Sequence, residues 1–183
     1  MDKKKFIRKK SFLIRKKKYF EISEKFFFAL KKIIENKKIS KRSNIALYYP
    51  SSNEVNVFKI LEVDYFKKFN FLLPIIEKNY MMNFYRWRKN DILTINKYGI
   101  PEPVKSKITI PNIILVPLLA YDNNKNRIGY GKGYYDRYLR KFLKMQKKIL
   151  IVGVAFSFQK YHKLPVTKKD FRLNYILTEK GII

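Results

Sequence analysis

The sequence predicts an α/β fold: a single three-layer α/β/α domain, residues 1–183, with a largely parallel (mixed) central sheet. Its length of 183 residues is typical of one domain. Continuously apolar segments such as IILVP (113–117) and KILIVGVAF (148–156) alternate with segments of helical period. Strands without polar alternation indicate a sheet that helices cover on both faces.

The first third of the chain predicts two helices, one strand and a further helix. Residues 2–18 are basic and favour a helix, and Ser23 resembles the N-cap of a second helix with Phe27, Leu30 and Ile34 on one face. The segment NIALYYP (44–50) predicts a buried strand. Helical spacing returns over residues 54–69, through Val57, Leu61 and Tyr65.

The rest of the chain predicts mostly strands. One helix is expected over residues 134–142, and YGIPEPV (98–104) predicts a rigid loop because two prolines fix φ and remove two donors. The predicted strands are FNFLLP (69–74), MMNFYRW (81–87), DILTI (91–95), IILVP (113–117), KILIVGVAF (148–156) and NYILT (174–178). Loops that follow parallel strands at their carboxyl ends are expected to form the site.

The formal net charge of +28 has two interpretations. One is an electrostatic footprint for nucleic acid or an anionic membrane. The other is coding bias, since Lys, Ile, Asn, Phe and Tyr, which all have AT-rich codons, are abundant together. We favour coding bias, because selection for RNA binding would not raise Ile and Asn, and we expect no specific nucleic-acid partner.

Several classes of protein are disfavoured by composition. The absence of cysteine excludes disulfides and thiolate metal sites. The longest apolar runs, residues 113–120 and 149–156, are too short to span a bilayer, and the N-terminus has no apolar secretory core. We therefore expect a cytoplasmic monomer with no membrane partner. The single histidine, His162, lies in a polar turn and is expected to be solvated.

The segment RIGYGKGYYDRYL (127–139) places three of the six glycines at alternate positions directly before a helix. Without Cβ atoms, Gly129, Gly131 and Gly133 let backbone N–H groups approach a ligand, and the helix adds its free N–H groups. With Arg127 and Lys132 these features suit a phosphate. A structural turn explains the glycines equally well, because the spacing matches neither common nucleotide-binding glycine motif.

A longer stretch, PLLAYDNNKNRIGYGKGYYDRYL (117–139), closely resembles the signature of the 5-formyltetrahydrofolate cyclo-ligase family, also called methenyltetrahydrofolate synthetases. The resemblance extends over nearly the whole chain. Its further blocks are KKFIR (4–8), IALYYP (45–50), NEV (53–55), MNFYRW (82–87), YGIPEP (98–103), VGVAFSFQ (152–159) and LPVTKKDFRLNYILTE (164–179). Two positions depart from the family pattern, Val57 and Asn174.

The resemblance implies ATP- and Mg²⁺-dependent closure of 5-formyltetrahydrofolate, with or without a polyglutamate tail, to 5,10-methenyltetrahydrofolate, ADP and phosphate. The implied catalytic residues are Lys132, Arg127 and Glu54. The implied ATP-binding residues are Lys4, Arg8, Arg127, Gly129, Gly131, Lys132, Gly133, Tyr134 and Tyr135. The implied substrate contacts are Tyr49, Glu54 and Tyr98, and the implied metal ligands are Asp136 and Asp170.

Alternatives remain open at this level. Asp136 and Glu54 could each be acids that stabilise a helix N-terminus. Met82, Phe84 and Trp87 could join Tyr49 and Tyr98 along a pterin slot, or lie in the core. A basic α/β module that binds RNA, or a catalytically decayed relative, would also account for much of the composition.

Overall fold

A computed structural model describes residues 2–144, 148–167 and 170–183. The helices are α1 Lys3–Lys18, α2 Phe28–Asn36 and α3 Tyr134–Lys144. The strands are β1 Asn44–Ala46, β2 Asn70–Ile76, β3 Met82–Arg86, β4 Leu93–Ile95, β5 Pro101–Pro103, β6 Ile113–Pro117, β7 Ala120–Tyr121, β8 Arg127–Ile128, β9 Leu150–Val154, β10 Tyr175–Thr178 and β11 Gly181–Ile182. Within these ranges no helix is both long and apolar enough to cross a membrane.

Seven strands form the central sheet, in the order β11-β10-β9-β6-β1-β2-β3. The five inner strands are parallel, and β3 and β11 pair antiparallel at the two edges. The predicted largely parallel, mixed sheet is thereby confirmed. Parallel strands place their carboxyl ends along one edge, where loops gather.

Side chains of the inner strands alternate between two separate cores, one on each face of the sheet. On β6, Ile113 and Leu115 point into one core and Ile114 and Val116 into the other. The first core contains the predicted stripe Phe27, Leu30 and Ile34, and the second contains Tyr138, Leu139 and Phe142 of α3. Each fully buried side chain of this kind contributes about 1.5–3 kcal/mol, so both helices are held by their apolar faces.

Residues 54–69 correct one helix prediction. They form two 3-10 helices, Val57–Glu62 and Asp64–Lys68, instead of one α-helix. Val63 between them is extended (φ −90°, ψ 116°), and three β-branched valines in this stretch lower helix propensity. Ser23 precedes a further 3-10 helix, Glu24–Phe27, without a side-chain cap, and the strand predicted over residues 44–50 is regular only as β1.

Residues 98–104 correct the loop prediction, because Pro101–Pro103 forms strand β5 and pairs antiparallel with β4. Prolines fit an isolated two-stranded ribbon, where a strand has a free edge. Asn96 accepts the backbone N–H groups of Tyr98 (2.8 Å) and Ile100 (3.1 Å) and so shapes the turn. Glu102 accepts the N–H of Ile76 at 2.8 Å, which anchors the hairpin to β2.

The short β7–β8 hairpin was not predicted from the sequence. Its turn is organised by the buried carboxylate of Asp122, which accepts the N–H groups of Asn124 and Asn126, both at 3.0 Å. The same carboxylate accepts the N–H of Leu164 at 3.1 Å. This hairpin sets the position of Arg127 at the start of the glycine segment.

Candidate active site

A cavity of about 680 Å³ lies at the carboxyl edge of the sheet, between the segments that follow β1, β4 and β8. All residues that the resemblance implied line it. They are Lys4, Arg8, Tyr49, Glu54, Tyr98, Arg127, Gly129, Gly131, Lys132, Gly133, Tyr134, Tyr135, Asp136 and Asp170. The fold therefore brings residues from both ends of the chain to one site.

The glycine loop, residues 129–133, uses its glycines in different ways. Gly131 (φ 93°) and Gly133 (φ 68°) adopt the left-handed region, which favours glycine. A Cβ on Gly131 would also lie 3.2 Å from the guanidinium carbon of Arg8. Gly129 has no positive φ and open space around it, but its carbonyl accepts a hydrogen bond from Nε of Arg8 at 3.0 Å.

Arg127 and Asp136, which the sequence analysis placed on different ligands, form an ion pair of 2.7 Å. The backbone of Phe171 completes a bracket, since its carbonyl accepts from Arg127 and its N–H donates to Oδ1 of Asp136 at 3.0 Å. The Arg127 side chain is only 5% exposed. The bracket joins the start of the glycine loop to the first turn of α3.

Helix α1 meets the site through a polar face. Lys4, Arg8, Ser11 and Arg15 recur every three or four residues, so they project from one side of the helix. Lys4 pairs with Asp170, and Ser11 shares a hydrogen bond of 3.0 Å with the Tyr161 hydroxyl. Although burial alone would raise the pKa of Asp170, hydrogen bonds from Lys4 and Thr167 lower it overall.

Glu54 is 6% exposed and fully partnered. Its Oε1 accepts the hydroxyl of Tyr130 at 2.7 Å and its Oε2 accepts the N–H of Ser51 at 2.9 Å. Burial raises the pKa of Glu54 above its ordinary value, while Tyr130, Ser51 and the charge of Arg15 oppose that rise.

The rim of the cavity is aromatic. The hydroxyls of Tyr98 and Tyr134 lie 3.0 Å apart, and Nζ of Lys132 lies 5.9 Å from the Tyr98 ring centroid. Tyr49 packs edge-on against Phe58, with ring centroids 5.3 Å apart. The contacts of Tyr98 join the β4–β5 hairpin to Lys132 of the glycine loop and to the start of α3.

Of Met82, Phe84 and Trp87, which could join a pterin slot or lie in the core, two are core residues. Phe84 and Trp87 are buried, and they pack against Tyr138 and Phe58 respectively, away from the cavity lining. Met82 does line the cavity. His162 is exposed, as predicted.

The two departures from the family pattern have structural roles. Val57 is fully buried in the core, and Oδ1 of Asn174 accepts the N–H of Ile151 at 2.7 Å. In the matched block 164–179, residues 168 and 169 lie outside the described residues. Among the described residues, no cluster of three or more His, Cys, Asp or Glu side chains suits a metal ion without further ligands.

The residues that sequence reasoning missed include Tyr130 and Arg137, which line the cavity, and Arg15, which contacts two lining residues. Arg15 lies two helical turns after Arg8, so a helical projection would have placed it on the same face. Tyr130 stands between two glycines of the matched signature and donates to Glu54. Arg137 lines the cavity from α3 and donates Nε to the carbonyl of Tyr80 at 3.0 Å.

The fold and the site define an α/β protein with a glycine-rich loop and a large aromatic-rimmed cavity at the carboxyl edge of its sheet. Comparison with known sequences refines this class. The profile of the 5-formyltetrahydrofolate cyclo-ligase family matches residues 1–179, and the chain belongs to that family.

Individual relatives agree with this membership. A Haemophilus influenzae 5-formyltetrahydrofolate cyclo-ligase is 31% identical over 145 residues, covering 73% of this chain and 74% of the relative. The Mycoplasma genitalium protein of the same name is 35% identical over 136 residues, covering 73% and 71%. The solution structure of Aquifex aeolicus 5,10-methenyltetrahydrofolate synthetase has a TM-score of 0.71 at 32% identity, covering 98% of this chain and 91% of that one.

Proposed function

We propose that this chain closes the ring of 5-formyltetrahydrofolate to give 5,10-methenyltetrahydrofolate, with ATP converted to ADP and phosphate. The observation that carries the proposal is the convergence of every residue implied by the family signature on one cavity. A volume of about 680 Å³ falls in the range of small-molecule sites.

The reaction needs no protein nucleophile. The formyl oxygen attacks the γ-phosphorus of ATP and ADP leaves, which gives a phosphorylated formyl group. N10 then attacks the activated carbon and gives up its proton, the bond from that carbon to the phosphorylated oxygen breaks, and the former formyl oxygen departs in the phosphate. Catalysis of phosphoryl transfer rests on positioning and on charge stabilisation, which the cavity residues provide.

The nucleotide would bind between the glycine loop and α1. The N–H groups of the loop and the N-terminus of α3 offer donors for phosphate oxygens. Lys132 supplies a cation from the loop, and Lys4 and Arg8 supply two from α1. Arg127 stabilises the glycine loop through its ion pair with Asp136.

The carboxylates fit Mg²⁺ held jointly with a nucleotide. Magnesium is commonly bound by one or two carboxylates together with substrate phosphates. Oδ2 of Asp136 accepts no hydrogen bond from any described residue, whereas Oδ2 of Asp170 accepts from Lys4 and Thr167 and would lose only the Lys4 bond when Lys4 moves to a phosphate. When bound, the ion would neutralise charge on the phosphate oxygens.

The folate would occupy the opposite side of the cavity. Tyr98 and Tyr49 offer ring faces or edges to a flat pterin, and Glu54 offers a carboxyl group to its polar edge. Polyglutamate tails would suit the surplus of surface lysines. We also propose that the enzyme is monomeric and cytoplasmic and has no specific nucleic-acid partner.

An absorbance assay tests the proposal. Purified protein, 5-formyltetrahydrofolate, Mg²⁺ and ATP are mixed, and the absorbance of the methenyl product is followed, with ATP replaced by a non-hydrolysable analogue as the control. We expect product only with ATP. Absence of product at high enzyme concentration would contradict the proposal and favour a decayed relative.

A further inference from the structure

Arg15 is a buried arginine without a carboxylate partner. It is 1% exposed, and none of the ion pairs among the described residues includes it. Taking an unpaired charge out of water is costly unless its donors are satisfied. The position of those donors therefore indicates what the residue does.

The guanidinium donates to three different segments around the cavity. Nε and Nη2 donate to the carbonyl of Ser52, at 3.1 and 2.8 Å. Nη1 donates to the carbonyl of Leu118, between β6 and β7, at 3.2 Å. Nη2 also donates to the hydroxyl of Tyr130 in the glycine loop.

The segment that receives two of these bonds has an unfavourable backbone. Ser52 and Asn53 both have positive φ, 49° and 61°, which non-glycine residues rarely adopt. Such conformations persist only where surrounding contacts hold them. The two hydrogen bonds from Arg15 to the Ser52 carbonyl are such a contact. Glu54 follows Ser52 and Asn53 directly in the sequence.

Arg15 is also connected to Glu54 indirectly, through hydrogen bonds of other residues. Its partner Tyr130 donates to Oε1 of Glu54, and the loop that it holds supplies the N–H of Ser51 to Oε2. Both carboxylate oxygens therefore depend on groups in the segments that Arg15 contacts.

We propose that Arg15 is a positioning residue for the proposed reaction: it ties the loop after β1 to the glycine loop, and so fixes Glu54 on the folate side relative to the nucleotide side. This inference rests on the proposed function. It adds to the family signature a residue of α1 that contacts neither substrate.

A pH profile gives a readout that a purely structural role would not move. The groups that face Glu54 are Arg15 of α1, Tyr130 of the glycine loop, Tyr48 after β1 and Tyr135 of α3. Among them Arg15 supplies the positive charge that lowers the pKa of Glu54. Its removal should raise that pKa, and the acidic limb of kcat/KM should move to higher pH.

The test compares Arg15→Met, Arg15→Lys and Tyr130→Phe with Lys17→Met, which removes an exposed cation from the same helix. We expect Arg15→Met to lower kcat/KM for folate at least about tenfold, a loss in the range expected for one misplaced positioning group. The acidic limb should shift upward in Arg15→Met and Tyr130→Phe. It should return toward the parent position in Arg15→Lys, which restores the charge, and stay unchanged in Lys17→Met.

Amide hydrogen exchange provides a second measurement that requires no turnover. Residues 50–54 and 129–133 should exchange faster in Arg15→Met while the central sheet exchanges as in the parent. Faster exchange throughout the chain, or a lower melting temperature with an unchanged pH profile, would overturn the inference. If Arg15→Met does not fold, Arg15→Lys and Tyr130→Phe decide the question by the same criteria. An inactive parent with the expected exchange pattern would overturn the proposed function alone.

Discussion

At the scale of single residues, four charged side chains that line the cavity form two ion pairs. Lys4 pairs with Asp170 and Arg127 with Asp136, although the sequence suggested phosphate for the cations and Mg²⁺ for the acids. Sequence resemblance identified all four positions because the signature marks residue types at fixed spacing. It gave no information on their pairing, which depends on how Phe171 and α1 approach the glycine loop.

The Asp136→Asn variant separates a functional carboxylate from a helix-end acid. An amide neither neutralises Arg127 nor binds Mg²⁺ well, so we expect turnover to fall about 100-fold or more. The melting temperature should also fall, since Arg127 would be left buried without its counter-charge. The measurement is activity as a function of Mg²⁺ concentration, together with a melting curve. Retained activity with reduced stability alone would identify Asp136 as an acid that stabilises the helix N-terminus.

Lys132 offers a sharper test of charge stabilisation. It is exposed on the glycine loop, and none of the described ion pairs includes it. Lys132→Met keeps most of the apolar stem, so we expect kcat to fall roughly 100-fold while the KM for ATP changes less. Steady-state kinetics measure both constants. Kinetics within about a factor of two of the parent would make Lys132 an ordinary surface lysine.

At the scale of secondary structure, two elements with a clear apolar pattern were predicted correctly, whereas a proline-containing strand was not. The stripe of Phe27, Leu30 and Ile34 and the apolar run of β6 gave correct elements, because burial dictates their pattern. Strand β4 lies within the predicted strand 91–95, but its partner β5 was missed because Pro101 and Pro103 favour a loop in isolation. Asn96 and Glu102 stabilise the hairpin through hydrogen bonds that propensity does not show.

Helix α1 was predicted from its composition, but its way of docking was not. Its buried residues are Ser11 and Arg15, both polar, so hydrogen bonds and ion pairs fix it at the site. A helix attached in this manner carries its cations to the cavity at defined positions. The nucleotide site proposed above therefore depends on how Arg8 packs against the glycine loop.

Gly131→Ala tests that packing, with Gly129→Ala as its control. At Gly131 a side chain would be strained by φ 93° and would contact Arg8 at 3.2 Å, so we expect a loss of about 1–3 kcal/mol in unfolding free energy. At Gly129 a Cβ meets open space without positive φ, so the loss should stay near 0.5 kcal/mol. Urea denaturation of both variants measures the difference. Equal stabilities would contradict the described loop conformation.

At the scale of the whole molecule, the fold class followed from the strand pattern, while the role of the charge did not. The chain has 42 Lys and Arg residues but only 14 Asp and Glu residues, so most of the cations cannot have an acidic partner of their own. If this excess reflects coding bias, binding to nucleic acid should be independent of sequence and should weaken steeply as salt rises. Titration of unrelated RNAs at several salt concentrations measures this. Tight binding of one RNA sequence at physiological salt would contradict it.

The central claim is that this cavity transfers the γ-phosphoryl group of ATP to the formyl oxygen of the folate. The most direct measurement uses 5-formyltetrahydrofolate labelled with oxygen-18 in the formyl group, with mass spectrometry of the released phosphate. The account predicts that each phosphate carries the labelled oxygen and that phosphate and methenyl product appear in equal amounts. Unlabelled phosphate, with its new oxygen taken from water, would show that ATP cleavage is not coupled to ring closure and would contradict the account.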